Sequence, residues 1–177
     1  MRPRLGQFPW LVLASNPDAP AKFRTDMNQA ALTEAEIRID IKAQLSTLLR
    51  GLSEAVVVEE MGICAGKARA DIAIISDVLI GIEIKGPQDT LTRLPGQVTY
   101  YSKCFDKAVL VVDELHASNA LELIPAWWGV VVSSTESGNK SYQLMRQPDI
   151  NVDVDLDSVL SLLWRPELEE LFGQILK

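Results

Sequence analysis

Three charged residues stand out because of their surroundings. Asp71 interrupts the apolar segment Ala70–Ile75, and eleven residues separate it from Glu83-Ile84-Lys85, which interrupts and borders the apolar segment Val78–Ile84. Apolar strands rarely carry charges in their middles, because an unpaired buried charge is costly. Glu83 and Lys85 are two residues apart, so on a strand they share one face. Two carboxylates beside a lysine suit metal-assisted hydrolysis of a phosphodiester. Asp71 and Glu83 would hold Mg²⁺ or Mn²⁺ through hard oxygen ligands, and the backbone carbonyl of Ile84 could add another. Such a metal polarises a phosphate and lowers the pKa of a bound water. Lys85 would orient or deprotonate that water, or stabilise the developing charge. The same three residues would also serve as an ion pair in a partly buried sheet, without chemistry.

This chemistry depends on register. The dipeptide Ser76-Asp77 separates two apolar runs and reads as a hairpin turn. A two-residue turn there sets Asp71 opposite Ile82 and sends Glu83 to the other face, where the carboxylates cannot share a metal. A bulge at or near Gly81, or an odd-length loop, sets Asp71 opposite Glu83. One of these is therefore required.

The other elements follow from periodicity. Thr33 with Glu36 three residues on makes a capping box, and Ile37, Ile41, Leu45 and Leu48 then fall on one helical face that Gly51 ends. Strands are predicted at Val56–Glu60, Ala70–Ile75 and Val78–Ile84. A helix over Leu94–Phe105, with Pro95 in its first turn, precedes the apolar strand Ala108–Val112, which suits a sheet covered on both faces. A helix at Ala117–Leu123 stops at Pro125. Strands at Gly129–Ser133 and Ser141–Arg146 flank a turn at Glu136–Asn139. Asp157 or Ser158 caps a final helical region reaching Leu176, broken near Pro166. The result is an α/β fold, a mixed β-sheet flanked by helices in the order αβββαβ, with additional C-terminal strands and helices. Residues 1–30, with Pro3, Pro9, Pro17 and Pro20, read as an irregular N-terminal arm before one domain over residues 31–177.

Bulk properties narrow the classes. The chain has 177 residues, 47% of them apolar, so a packed core is expected. Net charge is −7, which argues against tight nonspecific grip on duplex DNA. Cys64, Cys104 and the single histidine, His116, offer no zinc-site spacing and fit a reducing cytosol. Arg2 and Arg4 before Phe8–Ala14 loosely resemble a signal peptide, but the run is short and interrupted by Pro9 and Trp10. The expected location is cytoplasmic, and no apolar stretch has the length of a membrane span. Trp127-Trp128 reads as core packing before a base-stacking platform, and His116 as a surface or capping residue. Asp149, Asp153, Asp155 and Asp157 lack the glycine and distal glutamate of an EF-hand loop. Glu59 or Glu60 could join the acidic cluster.

The Asp71…Glu83-Ile84-Lys85 pattern resembles the PD-(D/E)xK phosphodiesterase superfamily, the restriction-endonuclease-like fold. Asp89-Thr90-Leu91, Arg93-Leu94-Pro95, Gln97, Tyr101, Pro125 and Trp127-Trp128-Gly129 look like recurring positions of one of its small bacterial and phage branches. The resemblance covers roughly residues 33 to 130. Where the superfamily commonly has Pro before the Asp, this chain has Ala70. The resemblance implies that Asp71 and Glu83 bind one or two divalent metals, Mg²⁺ or Mn²⁺, and that Lys85 assists catalysis. It also implies an acidic residue on the first helix, Glu34 or Glu36, with Glu36 the better placed unless it only completes the capping box. Gln97 and Tyr101 match the Gln-x-x-x-Tyr motif of the exonuclease branch related to the recombination helicase–nuclease, and share one helical face. With Arg93 and Arg69, which could hold phosphate or pair with acids, they are the candidate substrate-binding residues. The implied activity is a nuclease acting on nucleic acid, DNA in preference to RNA, with a homodimer or protein partner supplying grip. The alternative is a catalytically silent nucleic-acid- or protein-binding module with the same fold.

Overall fold

The computed structural model describes residues 33–48, 55–136 and 139–163, together with Gly173. The proline-rich arm, the helix end at Gly51, the side chains of Leu45 and Leu48, and the helical region beyond residue 163 lie outside the described residues. Among those described, the elements are α1 (Glu34–Leu48), β1 (Val56–Ile63), β2 (Ala68–Ile75), β3 (Leu79–Lys85), α2 (Leu94–Cys104), β4 (Lys107–Asp113), α3 (Ala117–Leu123), β5 (Gly129–Glu136), β6 (Asn139–Arg146) and α4 (Leu156–Leu160). A single 3-10 turn, Leu91–Arg93, leads into α2. The order is the one periodicity predicts.

The six strands form one mixed sheet in sequence order. β3, β4 and β5 run parallel, and the β1–β2, β2–β3 and β5–β6 pairs are antiparallel. Both faces of the centre are covered, which is why β4 is apolar along its length. Ile37 and Ile41 of α1 pack on one face against Ile72, Ile74, Ile82, Ile84, Val109 and Val111. The other face is covered by α2 and α3 through Leu94, Tyr101, Ala117 and Ala120, with Phe105 and Trp128. Trp128 is fully buried 5.2 Å from the Tyr101 ring, so the Trp127-Trp128 pair belongs to the core. Asn151 ties the C-terminal segment down by donating to the Ser102 and Phe105 carbonyls at 2.8 and 3.0 Å. α4 is capped by Asp155, whose carboxylate accepts from Ser158 N at 3.0 Å, and not by Asp157 or Ser158. No helix among the described residues is long and apolar enough to cross a membrane.

The β2–β3 hairpin meets the register requirement by its loop. Ile75 pairs with Leu79 and Ile72 with Ile82, so the connection is the three residues Ser76, Asp77 and Val78. Val78 therefore leaves the strand, and the Ser76 hydroxyl donates to its carbonyl at 3.0 Å. No bulge occurs at Gly81, which pairs with Ala73 in regular register. Its glycine has another reason: a Cβ there would lie 2.5 Å from the buried Phe105 ring. Gly81→Ala is expected to destabilise the fold by about 1–3 kcal/mol, the range for overpacking. Urea unfolding of the variant would measure this, and an unchanged midpoint would contradict the packing argument.

Candidate functional site

β2 and β3 pair as far as Ile72 and Ile82, and the next residues in register are Asp71 and Glu83. Beyond that point the Ile84 N–H bonds the Asp71 carboxylate at 2.7 Å. A side chain thus satisfies the backbone donor at the strand junction, and this orients Asp71. Glu83 and Lys85 point to the α2 face, 1% and 4% exposed, and form an ion pair. Buried charges persist only when paired and hydrogen-bonded. Here Gln97 Nε2 donates to the same Glu83 oxygen as Lys85, and the Tyr101 hydroxyl donates to the other at 2.7 Å. Gln97 and Tyr101 are four residues apart on α2, which brings both to one carboxylate. Burial and the neighbouring Glu83 push the Tyr101 hydroxyl well above the usual range, so it stays a donor.

Asp71 is less fully compensated. Burial, then the charge of Glu83, push its carboxyl up to about 7. On its other side stand Glu34 of α1 and Glu60 of β1, and oxygens of Glu34, Glu60 and Asp71 all lie within 4.8 Å of one another. The neighbours of Glu60 pair with the neighbours of Asp71, so the two face each other across β1 and β2. Glu60 has a left-handed φ of 55°, a strained conformation for a non-glycine residue in a strand. Arg38, one turn after Glu34, bonds Glu34 at 2.5 Å and Glu60, and lies 3.7 Å from Asp71.

These three carboxylates are the groups among the described residues that could hold a divalent cation. Oxygens opposite one another across an ion lie about 4.2 Å apart for Mg²⁺ and about 4.8 Å for Ca²⁺, twice the metal–oxygen distance. The three carboxylates meet the wider limit as they stand, and the Arg38 guanidinium already supplies positive charge beside them. Ile84 contributes its N–H to Asp71 here.

The cleft at this site has a volume of about 470 Å³. Glu34, Asp71, Glu83 and Lys85 form its charged floor, and Gln97, Tyr100 and Gly96 form the α2 wall. Lys67, Arg69, Thr92 and Arg93 form the rim. Arg69 reaches it but also pairs with Glu60 at 2.5 Å. Glu36 does not reach the cleft. Its carboxylate accepts from Thr33 N and Oγ1, both at 2.9 Å, and its other oxygen faces Lys140 at 3.5 Å. The Thr33 N–H holds it below the usual carboxylate range. Glu34 and Glu36 stand about 200° apart around the helix axis, and the inward packing of Ile37 turns Glu34 to the cleft. Arg38, Lys67, Thr92 and Tyr100 join the site only in the fold. The Glu34–Arg38 spacing of four was the available signal for the first. His116 precedes α3 with its ring nitrogen 3.2 Å from the Pro87 carbonyl, outside the cleft lining.

Comparison with known proteins places the chain in a family. The family described as bacteriophage P4 protein cII matches residues 27–176, which include every residue of the cleft. The chain belongs to the bacteriophage P4 protein cII family. A curated member, protein cII of Enterobacteria phage P4, is 27% identical over 123 residues, covering 70% of this chain and 47% of that protein. The chain thus spans about half the length of the curated relative it matches. No solved structure matches it. The name cII specifies neither a reaction nor a substrate, so a functional reading of this family member has to come from the cleft.

Proposed function

We propose that the protein is a Mg²⁺- or Mn²⁺-dependent nuclease of the PD-(D/E)xK type, hydrolysing phosphodiester bonds of DNA in the cytoplasm, in repair, recombination, restriction or phage-related processing. The observation that carries this reading is the register that sets Asp71 opposite Glu83, with Lys85 on the same face. Three antiparallel strands, a crossover helix and a parallel fourth strand support a restriction-endonuclease-like core. Asp71 and Glu83 would hold the metal, joined by Glu34 and Glu60, whose oxygens lie within 4.8 Å of those of Asp71; Glu83 would give up one of its bonds from Lys85, Gln97 or Tyr101 to do so. A bound divalent ion would supply Lewis acidity at the phosphate and a water of lowered pKa. Lys85 donates toward Glu83 and has its ammonium at the cleft floor, where it would hold the attacking water or the developing charge. Gln97 and Tyr101 would position Glu83, and Gln97, which also lines the cleft, would meet substrate there. Arg93 and Arg69 would meet phosphate at the rim. With a net charge of −7, further grip on nucleic acid would come from a second copy or a protein partner.

The test is cleavage of plasmid and single-stranded DNA with Mn²⁺, Mg²⁺ or EDTA, with Lys85→Ala as control. Metal-dependent products from the wild type alone are the expected result. Glu34→Gln should reduce cleavage at subsaturating Mn²⁺ by at least tenfold, the lower end for disturbing a metal's surroundings. Glu36→Gln should leave it unchanged and lower only the thermal midpoint. Equal losses from the two would remove the distinction, and a larger loss from Glu36→Gln would reverse it. One observation favours a second reading, a silent binding module: Arg38 already neutralises the Glu34–Glu60 pair. Absence of both Mn²⁺ binding by calorimetry and cleavage would favour a purely structural ion pair, and nucleic-acid or protein binding without cleavage would favour the silent module.

A further inference from the structure

The cleft walls carry information about which form of nucleic acid fits. Tyr100 is the aromatic side chain that lines the cleft, half-buried on the α2 wall, while its neighbour Tyr101 is buried beneath and committed to Glu83. Gly96, one turn earlier on the same wall, has open space where a Cβ would stand, so a flat group can approach Tyr100 along the helix. At the rim, Lys67 and Arg93 have no carboxylate within 4.0 Å among the described residues, whereas Arg69 is paired with Glu60.

The backbone that carries Lys67 is also held in place, its N–H donating to the Cys64 carbonyl at 3.3 Å. It follows the β1–β2 turn, in which Cys64, Ala65 and Gly66 have φ of 51°, 57° and 79°. Consecutive left-handed non-glycine residues are strained and persist only when their surroundings enforce them. Here Cys64 is buried with its Sγ 3.3 Å from Cys104 Sγ, at the end of the helix that carries Tyr100. The turn and the aromatic wall are therefore docked to each other.

A duplex held through its backbone needs several phosphates neutralised, commonly about 6–10. Among the described residues, the two unpaired rim cations fall well short of that. An unpaired strand needs fewer, because its bases are free to stack on an aromatic ring. A volume of about 470 Å³ lies in the range that encloses one small molecule, the scale of a nucleotide unit and not of stacked base pairs. We infer that the cleft takes an unpaired polynucleotide strand, with one base on Tyr100 and flanking phosphates on Lys67 and Arg93, and discriminates against intact duplex. This deepens, and rests on, the reading of the cleft as a nuclease site.

Fluorescence anisotropy of the full chain tests it, with Ca²⁺ in place of Mn²⁺ and three labelled probes: oligothymidylate, oligouridylate and a blunt DNA duplex of equal length. The single strands should bind at least roughly tenfold more tightly than the duplex. Tyr100→Leu, which keeps apolar bulk without a ring, should weaken single-strand binding by roughly tenfold, and Tyr100→Phe should retain it. Lys67→Ala and Arg93→Ala should each flatten the dependence of log affinity on log salt by roughly 0.7. Tighter binding of the RNA probe would uphold the unpaired-strand inference and move the substrate from DNA to RNA. Duplex binding as tight as single strand, full affinity in a folded Tyr100→Leu, or no binding of any probe would overturn it. Metal-dependent cleavage with no strand preference would leave the nuclease function standing and remove this inference. Ring-dependent single-strand binding without cleavage would do the reverse.

Discussion

Lys85→Met should lose both activity and stability, and the two losses should separate in a second variant. Removing the ammonium takes away the group that would handle the attacking water, with an expected loss of about 10²–10⁴ in cleavage rate. It also leaves Glu83, 1% exposed, without its cation, which costs about 3–5 kcal/mol for a broken buried pair. Gln97 and Tyr101 remain as donors and soften that loss. Urea unfolding of the variant reads this loss directly. Adding Glu83→Gln to Lys85→Met replaces the broken pair by neutral groups of similar size, so stability should largely return while cleavage stays absent. A Lys85→Met protein that cleaves at the wild-type rate would remove the lysine from the mechanism. A double variant no more stable than the single one would show that the pair does not act through charge.

Asp71→Asn has the opposite signature. The Asp71 carboxyl titrates at about 7 in the fold against 3.8 for the free side chain, because burial and Glu83 disfavour its charge. The native state therefore holds this proton more tightly than the unfolded chain does. Stability from that proton is fully present below pH 3.8 and is lost as pH rises through 7. At 1.36 kcal/mol per unit, the gap sets an upper bound of about 4 kcal/mol. Asparagine removes the charge and keeps an oxygen for the Ile84 N–H. In EDTA at pH 8 the variant should be more stable than the wild type, by about 1–4 kcal/mol, with the difference vanishing near pH 4. Mn²⁺ should stabilise the wild type and not the variant, and cleavage should fall by more than about 100-fold, beyond the range for disturbing a metal's outer contacts. A destabilised variant at pH 8 would mean that Arg38 compensates Asp71 more fully than its 3.7 Å separation implies.

Much of this centre was legible before the fold was seen, and the reason is local. Charges inside apolar strands mark sites, and the alternation of Glu83, Ile84 and Lys85 puts both charges on one face without reference to anything distant. Gln97 and Tyr101 could be grouped because helical spacing is also local. Their role could not: the spacing is equally compatible with touching metal, DNA or protein, and only the packing of α2 on β3 brings both to Glu83. Gly81 illustrates a residue read for the wrong cause. A strand glycine signals either a bulge or a close neighbour, and the neighbour, Phe105, is more than twenty residues away in the chain.

The amino-acid sequence by itself determined the order of elements, the burial of the central strands and the charged triad, because each follows from periodicity within one segment. The tertiary structure decided which residues face which. A single extra residue in the β2–β3 loop, Val78, sets Asp71 against Glu83, and a shift of one position would have turned every side chain to the opposite face. The seating of Ile37 and Ile41 on the sheet turns Glu34 inward and Glu36 outward, and the β1–β2 pairing adds Glu60, so that Arg38 finds two carboxylates to bind. These outcomes depend on contacts between distant segments, whose summed packing free energy no local pattern records, and so the triad with which the chain was first read became a cluster only in the fold.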